Sequence, residues 1–277
     1  MRFWLLATLF LPISVAHAKR ELDVSGTQMR DVAFVQRGEK TLSLRLLRPA
    51  KIGAKPLPVV LYFHGGAWRF GTHERLNPTL VELARTGIAV ASVEFRSSDE
   101  AHFPAQLEDA RAAVRWVKQN ARAYSLAPSR IGAYGVSTGG QIAGVLAYSG
   151  SSISALCLLS APTDLGSLSS GSRVKWNEAT SPLGAYLGFA PPTKPDAVKR
   201  ASPFFWADEH APPTLLLAGS ADNFVAPTQS RALYQTLKKA KVRVALIEFP
   251  GEKHDLRRVG DEVTRAVVRF FQRELGK

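Results

Sequence analysis

Gly135-Val136-Ser137-Thr138-Gly139 sits at a junction between two runs of different character, and no other feature constrains this chain as much. Upstream, Arg130 to Tyr134 reads as a short buried strand. Downstream, Gln141 to Ala147 reads as a helix rich in small residues. A serine between a strand and a helix sits on a sharp, strained turn that lifts its hydroxyl out of the sheet. The flanking glycines are needed there because side chains would collide with the neighbouring strand and helix. Five residues of this kind also arise by chance, so their weight depends on three further features.

The first is His64-Gly65-Gly66-Ala67-Trp68, directly after the apolar run from Pro58 to Phe63. Adjacent glycines at a strand end let backbone N–H groups turn into a cavity. Gly65 and Gly66, with the N–H of Thr138, would surround the oxyanion formed when a serine attacks a carbonyl. On its own a Gly-Gly pair reads more simply as a strand-ending turn. The second is Asp222, in Gly219-Ser220-Ala221-Asp222-Asn223, after the strand-like Pro213 to Ala218. The third is His254, in Pro250-Gly251-Glu252-Lys253-His254-Asp255, after the strand-like Val242 to Phe249. Nucleophile, acid and base then follow the chain order Ser, Asp, His, and the spacing leaves room for a lid before Asp222 and a helix plus a strand after it.

With these residues in that order, the chain resembles the α/β-hydrolases of the esterase/lipase type. It is similar to the bacterial acetyl and feruloyl esterase-like group, and to the hormone-sensitive-lipase group in its His64-Gly65-Gly66 loop. The resemblance runs from about Pro58 to the C-terminus and takes in Glu94-Phe95-Arg96, Phe103 to Asp109 and Ala201-Ser202-Pro203. It implies an α/β-hydrolase fold: a mostly parallel central sheet with helices on both faces and a short lid insertion. Such families usually carry alanine after the nucleophile, where this chain has Thr138. The backbone N–H survives that change, while a hydroxyl and a methyl are expected to crowd the oxyanion site and the acyl pocket.

The order of elements agrees. Asp31 to Arg37 and Thr41 to Leu47 alternate polar and apolar residues and suggest an opening antiparallel hairpin around Arg37-Gly38-Glu39. A strand over Pro58–Phe63, a helix from about Glu74 to Arg85, a strand over Ile88–Val93 and a helix from about Pro104 to Ala123 follow. After the Ser137 turn come the Cys157 strand, the Asp222 strand, a helix over Thr228–Ala240, the His254 strand and a final helix over Gly260–Glu274. The inner strands are continuous apolar runs, as expected of parallel strands covered on both faces. No linker-like break divides residues 19–277, so one catalytic domain is expected.

Residues 161–212 break this rhythm. They hold many Pro, Gly and Ser residues together with Trp176, Tyr186, Phe189, Phe204, Phe205 and Trp206. They fall where such folds insert a lid. Most of these aromatics are expected to stitch the excursion to the body, with one or two walling the pocket. Trp68, immediately after the oxyanion glycines, is the stronger candidate for a pocket wall.

Met1-Arg2, an apolar stretch from Phe3 to Val15 and the small-x-small Ala16-His17-Ala18 read as a secretory signal cleaved after Ala18. The stretch is shorter than the roughly 20 residues that span a bilayer. A periplasmic or secreted protein with no membrane span is the expectation. Cys157, the lone cysteine, lies in an apolar strand and reads as a buried, inert thiol. The formal charge is +13. Its basic residues are dispersed, without a long arm or an aromatic-interleaved platform, so a solvated face is favoured over nucleic-acid binding.

The chemistry expected of Ser137, His254 and Asp222 is acyl transfer: attack on a carbonyl, proton transfer through the imidazole, and hydrolysis of an acyl-enzyme by water. His64 is expected to hold its loop by hydrogen bonds to backbone rather than act as base. His73, His102 and His210 lack a strand-end setting, and Asp255 ranks below Asp222 as the acid. No metal-ligand spacing or phosphate loop is found, so no metal or cofactor is implied; the expected partner is a small-molecule ester. Three readings stay open: a carboxylesterase for short or aromatic acyl esters, an amidase or peptidase of arylformamidase or prolyl-peptidase type, and a non-catalytic binding protein.

Overall fold

A computed structural model describes residues 22–276. The expected signal segment, residues 1–18, lies outside the described residues. Among these, no helix is long and apolar enough to cross a membrane.

The chain opens with β1 (Thr27–Arg37) and β2 (Lys40–Pro49), then β3 (Leu57–Phe63), α1 (Pro78–Arg85), β4 (Ala89–Val93), α2 (Ala105–Asn120) and β5 (Leu126–Val136). It continues through α3 (Thr138–Tyr148), β6 (Ala155–Leu159), α4 (Pro182–Leu187), α5 (Pro195–Arg200) and β7 (Thr214–Gly219). It closes with α6 (Thr228–Lys239), β8 (Val244–Phe249) and α7 (Gly260–Leu275). The eight strands form one sheet in the order β1-β2-β4-β3-β5-β6-β7-β8. β1, β2 and β4 pair antiparallel; every pairing from β4 through β3 to β8 is parallel. This is the α/β-hydrolase architecture.

Why the inner strands read as unbroken apolar runs is plain from their surroundings. β3, β4, β6 and β7 are buried along their whole length. Val59, Leu61 and Phe63 face the layer of α2, α3 and α6, with Val114, Leu146 and Leu233. Val60 and Tyr62 face the opposite layer of α1 and α7, with Leu80 and Phe271. Each such side chain contributes about 1.5–3 kcal/mol on burial. Cys157 is fully buried on this second face, and burial pushes its thiol up.

Element boundaries moved where local chemistry overrides periodicity. α1 starts at Pro78 rather than near Glu74. Proline disfavours helical geometry in the residue before it, so Asn77 is extended (ψ 166°) and its side chain accepts from the Leu80 N–H at 3.1 Å. β5 begins at Leu126, earlier than the expected Arg130, and pairs with β3 from Leu57 onward. The hairpin turn is Gly38-Glu39, since Arg37 pairs with Lys40. Glu94-Phe95-Arg96 and the start of α2 are joined by a buried ion cluster. Arg96 Nε and Nη2 each meet Asp109 at 2.9 Å, and Arg37 Nε meets the same carboxylate at 2.7 Å.

Residues 161–212 cross the carboxyl ends of the strands between β6 and β7. They carry only two short helices, α4 and α5, with three single 3-10 turns.

Candidate active site

Parallel strands deliver reactive groups at their carboxyl ends, and three do so here: β5 leads into Ser137, β7 into the loop of Asp222, β8 into the loop of His254. Ser137 is a non-glycine residue at φ 52°, ψ −125°, a strained conformation that costs on the order of 1–3 kcal/mol. Neighbouring backbone holds it there. Its N–H donates to the Leu159 carbonyl at 2.8 Å and its carbonyl accepts from the Gly140 N–H at 2.8 Å. A Cβ on Gly139 would strike the carbonyl oxygens of Phe63 and His64, which is why only glycine fits beside the turn.

His254 Nε2 lies 2.9 Å from Ser137 Oγ, and His254 Nδ1 lies 2.6 Å from Asp222 Oδ2. The other carboxylate oxygen, Asp222 Oδ1, accepts from the N–H groups of Phe224 at 2.9 Å and Val225 at 3.0 Å. Two backbone donors therefore fix the carboxylate with Oδ2 toward the imidazole. With a carboxylate at Nδ1, that nitrogen carries the proton and Nε2 is left to accept from the serine. Asp255 turns elsewhere, to Arg257 Nε at 2.6 Å.

The oxyanion candidates stand beside Ser137. A Cβ on Gly65 would come 3.0 Å from Ser137 Cβ. Gly66, at φ 136°, closes a turn in which its carbonyl accepts from the N–H groups of Arg69 and Phe70, and a Cβ there would strike Phe70 O. The N–H groups of Gly65, Gly66 and Thr138 donate no hydrogen bond among the described residues. His64 Nδ1 sits 2.8 Å from the Gly65 carbonyl, and its ring stacks on Phe95. Burial, first, and the neighbouring His73 lower its pKa, so the neutral ring donates to that carbonyl.

A cavity of about 430 Å³ opens over Ser137, walled by Phe70, Val136, Pro162, Trp176, Phe224 and Val225. Trp68 is not among its walls, a correction to the sequence reading. Its indole is 2% exposed, stacked on Tyr186 at 4.5 Å between ring centroids, and its Nε1–H donates to Gln141 at 2.8 Å. The chain reverses at Ala67 and Trp68, both with positive φ, which turns the indole into the body. Phe70, 67% exposed, takes the place at the cavity that sequence position suggested for Trp68. Thr138 lines the cavity beside Ser137, and its hydroxyl accepts from the Trp68 N–H at 3.3 Å. Phe224 had a sequence signal that went unread: it lies two residues past the acid, on a loop whose N–H groups must face Asp222.

The model of the BD-FAE family matches residues 44–237. The chain belongs to the BD-FAE family. Within that setting it is 42% identical to carboxylesterase NlhH of Mycobacterium tuberculosis over 92 residues, which are 33% of this chain and 29% of that protein. It is 27% identical to an ethyl acetate hydrolase of Pseudomonas putida over 85% of this chain and 78% of that one. Among solved structures, a bacterial heroin esterase aligns with a TM-score of 0.80 at 26% identity, covering 92% of this chain and 87% of that one. A truncated carbohydrate esterase from gut microbiota gives 0.78 at 26%, covering 90% and 97%. The chain thus spans under a third of the mycobacterial carboxylesterase and nearly all of the carbohydrate esterase.

Proposed function

We propose that this BD-FAE member is a serine carboxylic ester hydrolase for short or aromatic acyl esters. The observation that carries the reading is the continuous path from Ser137 Oγ to His254 Nε2 at 2.9 Å and from His254 Nδ1 to Asp222 Oδ2 at 2.6 Å. Esterase relatives of similar fold support it.

Ser137 attacks the ester carbonyl while His254 Nε2 takes its proton; Asp222 orients the imidazole and stabilises its cationic form. Negative charge on the carbonyl oxygen is met by the N–H groups of Gly65, Gly66 and Thr138. One such donor is typically worth on the order of 10²–10³ in kcat. His254 returns the proton to the leaving alcohol, and the acyl group stays on Ser137. Water, activated by the same imidazole, then releases the acid and restores the serine.

Substrate size follows from the cavity. Phe70, Trp176 and Phe224 give it rigid aromatic walls. A methylene buried without strain gains roughly 0.8 kcal/mol, and one that clashes gains nothing. The expected preference is for acetyl to butyryl chains or a flat aromatic acyl group, with kcat/KM falling steeply beyond about four to six acyl carbons. A panel of C2 to C12 4-nitrophenyl esters, acetylated and feruloylated sugars and N-formylkynurenine tests this. Short and aromatic esters should lead. A maximum at C8 or longer would refute the size argument, and turnover of the formamide alone would replace the ester reading.

A further inference from the structure

Two side chains in the first turn of α3 reach back to the glycine loop. Thr138 Oγ accepts from the backbone N–H of Trp68 at 3.3 Å, and Gln141 Oε1 accepts from its indole Nε1–H at 2.8 Å. Thr138 and Gln141 are three residues apart, so they share one face of the helix. Both are buried, Gln141 completely, and its Nε2 is engaged by the Ala201 carbonyl at 2.6 Å. On its far side Trp68 accepts from the Ser98 N–H at 2.9 Å.

This loop needs holding. Ala67 at φ 54° and Trp68 at φ 60° are consecutive non-glycine residues in the left-handed region, which side chains disfavour. They follow directly on Gly65 and Gly66. Any relaxation of Trp68 would swing the Gly66 N–H, because Gly66 closes the same turn through its bonds from Arg69 and Phe70.

We propose that Thr138 and Gln141 are positioning residues that lock Trp68, and through it aim the N–H groups of Gly65 and Gly66 at the oxyanion. The proposal rests on the ester-hydrolase reading of the same site. It gives one helix two tasks: α3 begins at the nucleophile and also sets the loop that stabilises the charge the nucleophile creates. The hydroxyl of Thr138, where alanine is usual, is then a second tether for the loop.

The test compares Thr138→Val, which keeps the shape and removes the acceptor, with Thr138→Ser, which keeps the acceptor; Gln141→Met removes the other tether. On 4-nitrophenyl acetate, Thr138→Val and Gln141→Met should each lose about tenfold or more in kcat with KM within about twofold, as expected when oxyanion donors are misaimed. The inhibition constant of a trifluoromethyl ketone, which forms an oxyanion on Ser137, should rise by a similar factor. Thr138→Ser, which restores the acceptor, should recover most of the kcat that Thr138→Val loses. Amide hydrogen exchange of residues 64–71 should quicken in Thr138→Val and Gln141→Met, and not in Thr138→Ser. Equal kcat and equal exchange for the valine and serine variants would overturn the proposal. A wild type without ester turnover would instead remove the hydrolase reading, and exchange across residues 64–71 would still judge the tethers.

Discussion

The Ser137 turn and the excursion over residues 161–212 are both irregular, yet they are held by different means. At the turn, backbone meets backbone: Gly139 lies against the carbonyls of Phe63 and His64, and the Ser137 N–H reaches Leu159 O. The excursion has one such glycine, Gly184 against the carbonyls of Glu178 and Ala179, but it is tied to the body largely by side chains that meet backbone. Gln229 Oε1 accepts from the N–H groups of Thr163 at 2.8 Å and Asp164 at 2.7 Å, and Ser202 Oγ accepts from Leu165 at 3.0 Å. Ser172 Oγ donates to the Phe224 carbonyl at 2.7 Å and accepts from the Trp176 indole. Contact between backbones leaves glycine as the one solution at a position; a reaching side chain can be replaced in many ways. The reacting groups lie in the first kind of region, and the excursion supplies Trp176 and Pro162 to the cavity wall.

If that division holds, the largest effect belongs to the turn. Ser137→Ala should lower kcat by on the order of 10⁴-fold or more, with the circular dichroism spectrum and melting temperature of wild type. Asp222→Asn should be severe but milder, and Asp255→Asn close to wild type on 4-nitrophenyl acetate. A damaging Asp255→Asn beside a silent Asp222→Asn would move the acid to Asp255 and undo the assignment.

The excursion should answer in stability instead. Gln229 is 5% exposed, and Gln229→Leu strands the N–H groups of Thr163 and Asp164. Loss of such a buried network costs about 2–4 kcal/mol, read as a lower urea midpoint, while kcat of the folded enzyme stays within a few-fold. A collapsed kcat at unchanged stability would mean that the excursion is part of the machinery.

The same contrast explains what was legible in the sequence. The strand runs, the Ser137 turn, Asp222 and His254 could be read because burial on two faces and backbone crowding restrict the residues allowed. The start of α1 was misread because helical periodicity around Glu74 says nothing of the stop imposed by Pro78. Trp68 was misread because its place two residues after Gly66 fixes where its Cα lies but not the positive φ that turns its indole inward. Phe70 and the contacts of Gln229 depend on residues far apart in the chain, and no local pattern marks them.

A smaller change should come from the pocket wall. Trp176 lines the cavity and packs against Trp68, with ring centroids 6.4 Å apart and planes at 85°. Trp176→Ala should raise KM for the acetyl ester by about tenfold and improve the relative rate on C8 esters, since one wall of the acyl space is gone. Unchanged chain-length preference would assign the discrimination to Phe70 and Phe224 on the body.

The smallest effect is a pH dependence confined to the glycine loop. His64 is half-buried, lies near His73 and Glu94, and donates from Nδ1 to the Gly65 carbonyl. Burial, with His73 adding to it, lowers its folded pKa below the ordinary value of 6.5, while the unfolded chain keeps that value. Between the two values the unfolded state binds the proton more readily, so stability rises with pH across this window. Above about 6.5 the contribution is complete, and it is lost as pH falls through the folded pKa. His64→Asn keeps a donor in the region of Nδ1 and cannot titrate. The fall in melting temperature between pH 7 and pH 5 should therefore be shallower in His64→Asn than in wild type, since the other titrating groups are common to both proteins. In wild type at pH 5, amide exchange should quicken in residues 64–71 more than in 161–212. Parallel pH slopes for the two proteins would show that folded His64 takes up its proton as readily as the unfolded chain does, and the loop would then have no acid-sensitive element of its own.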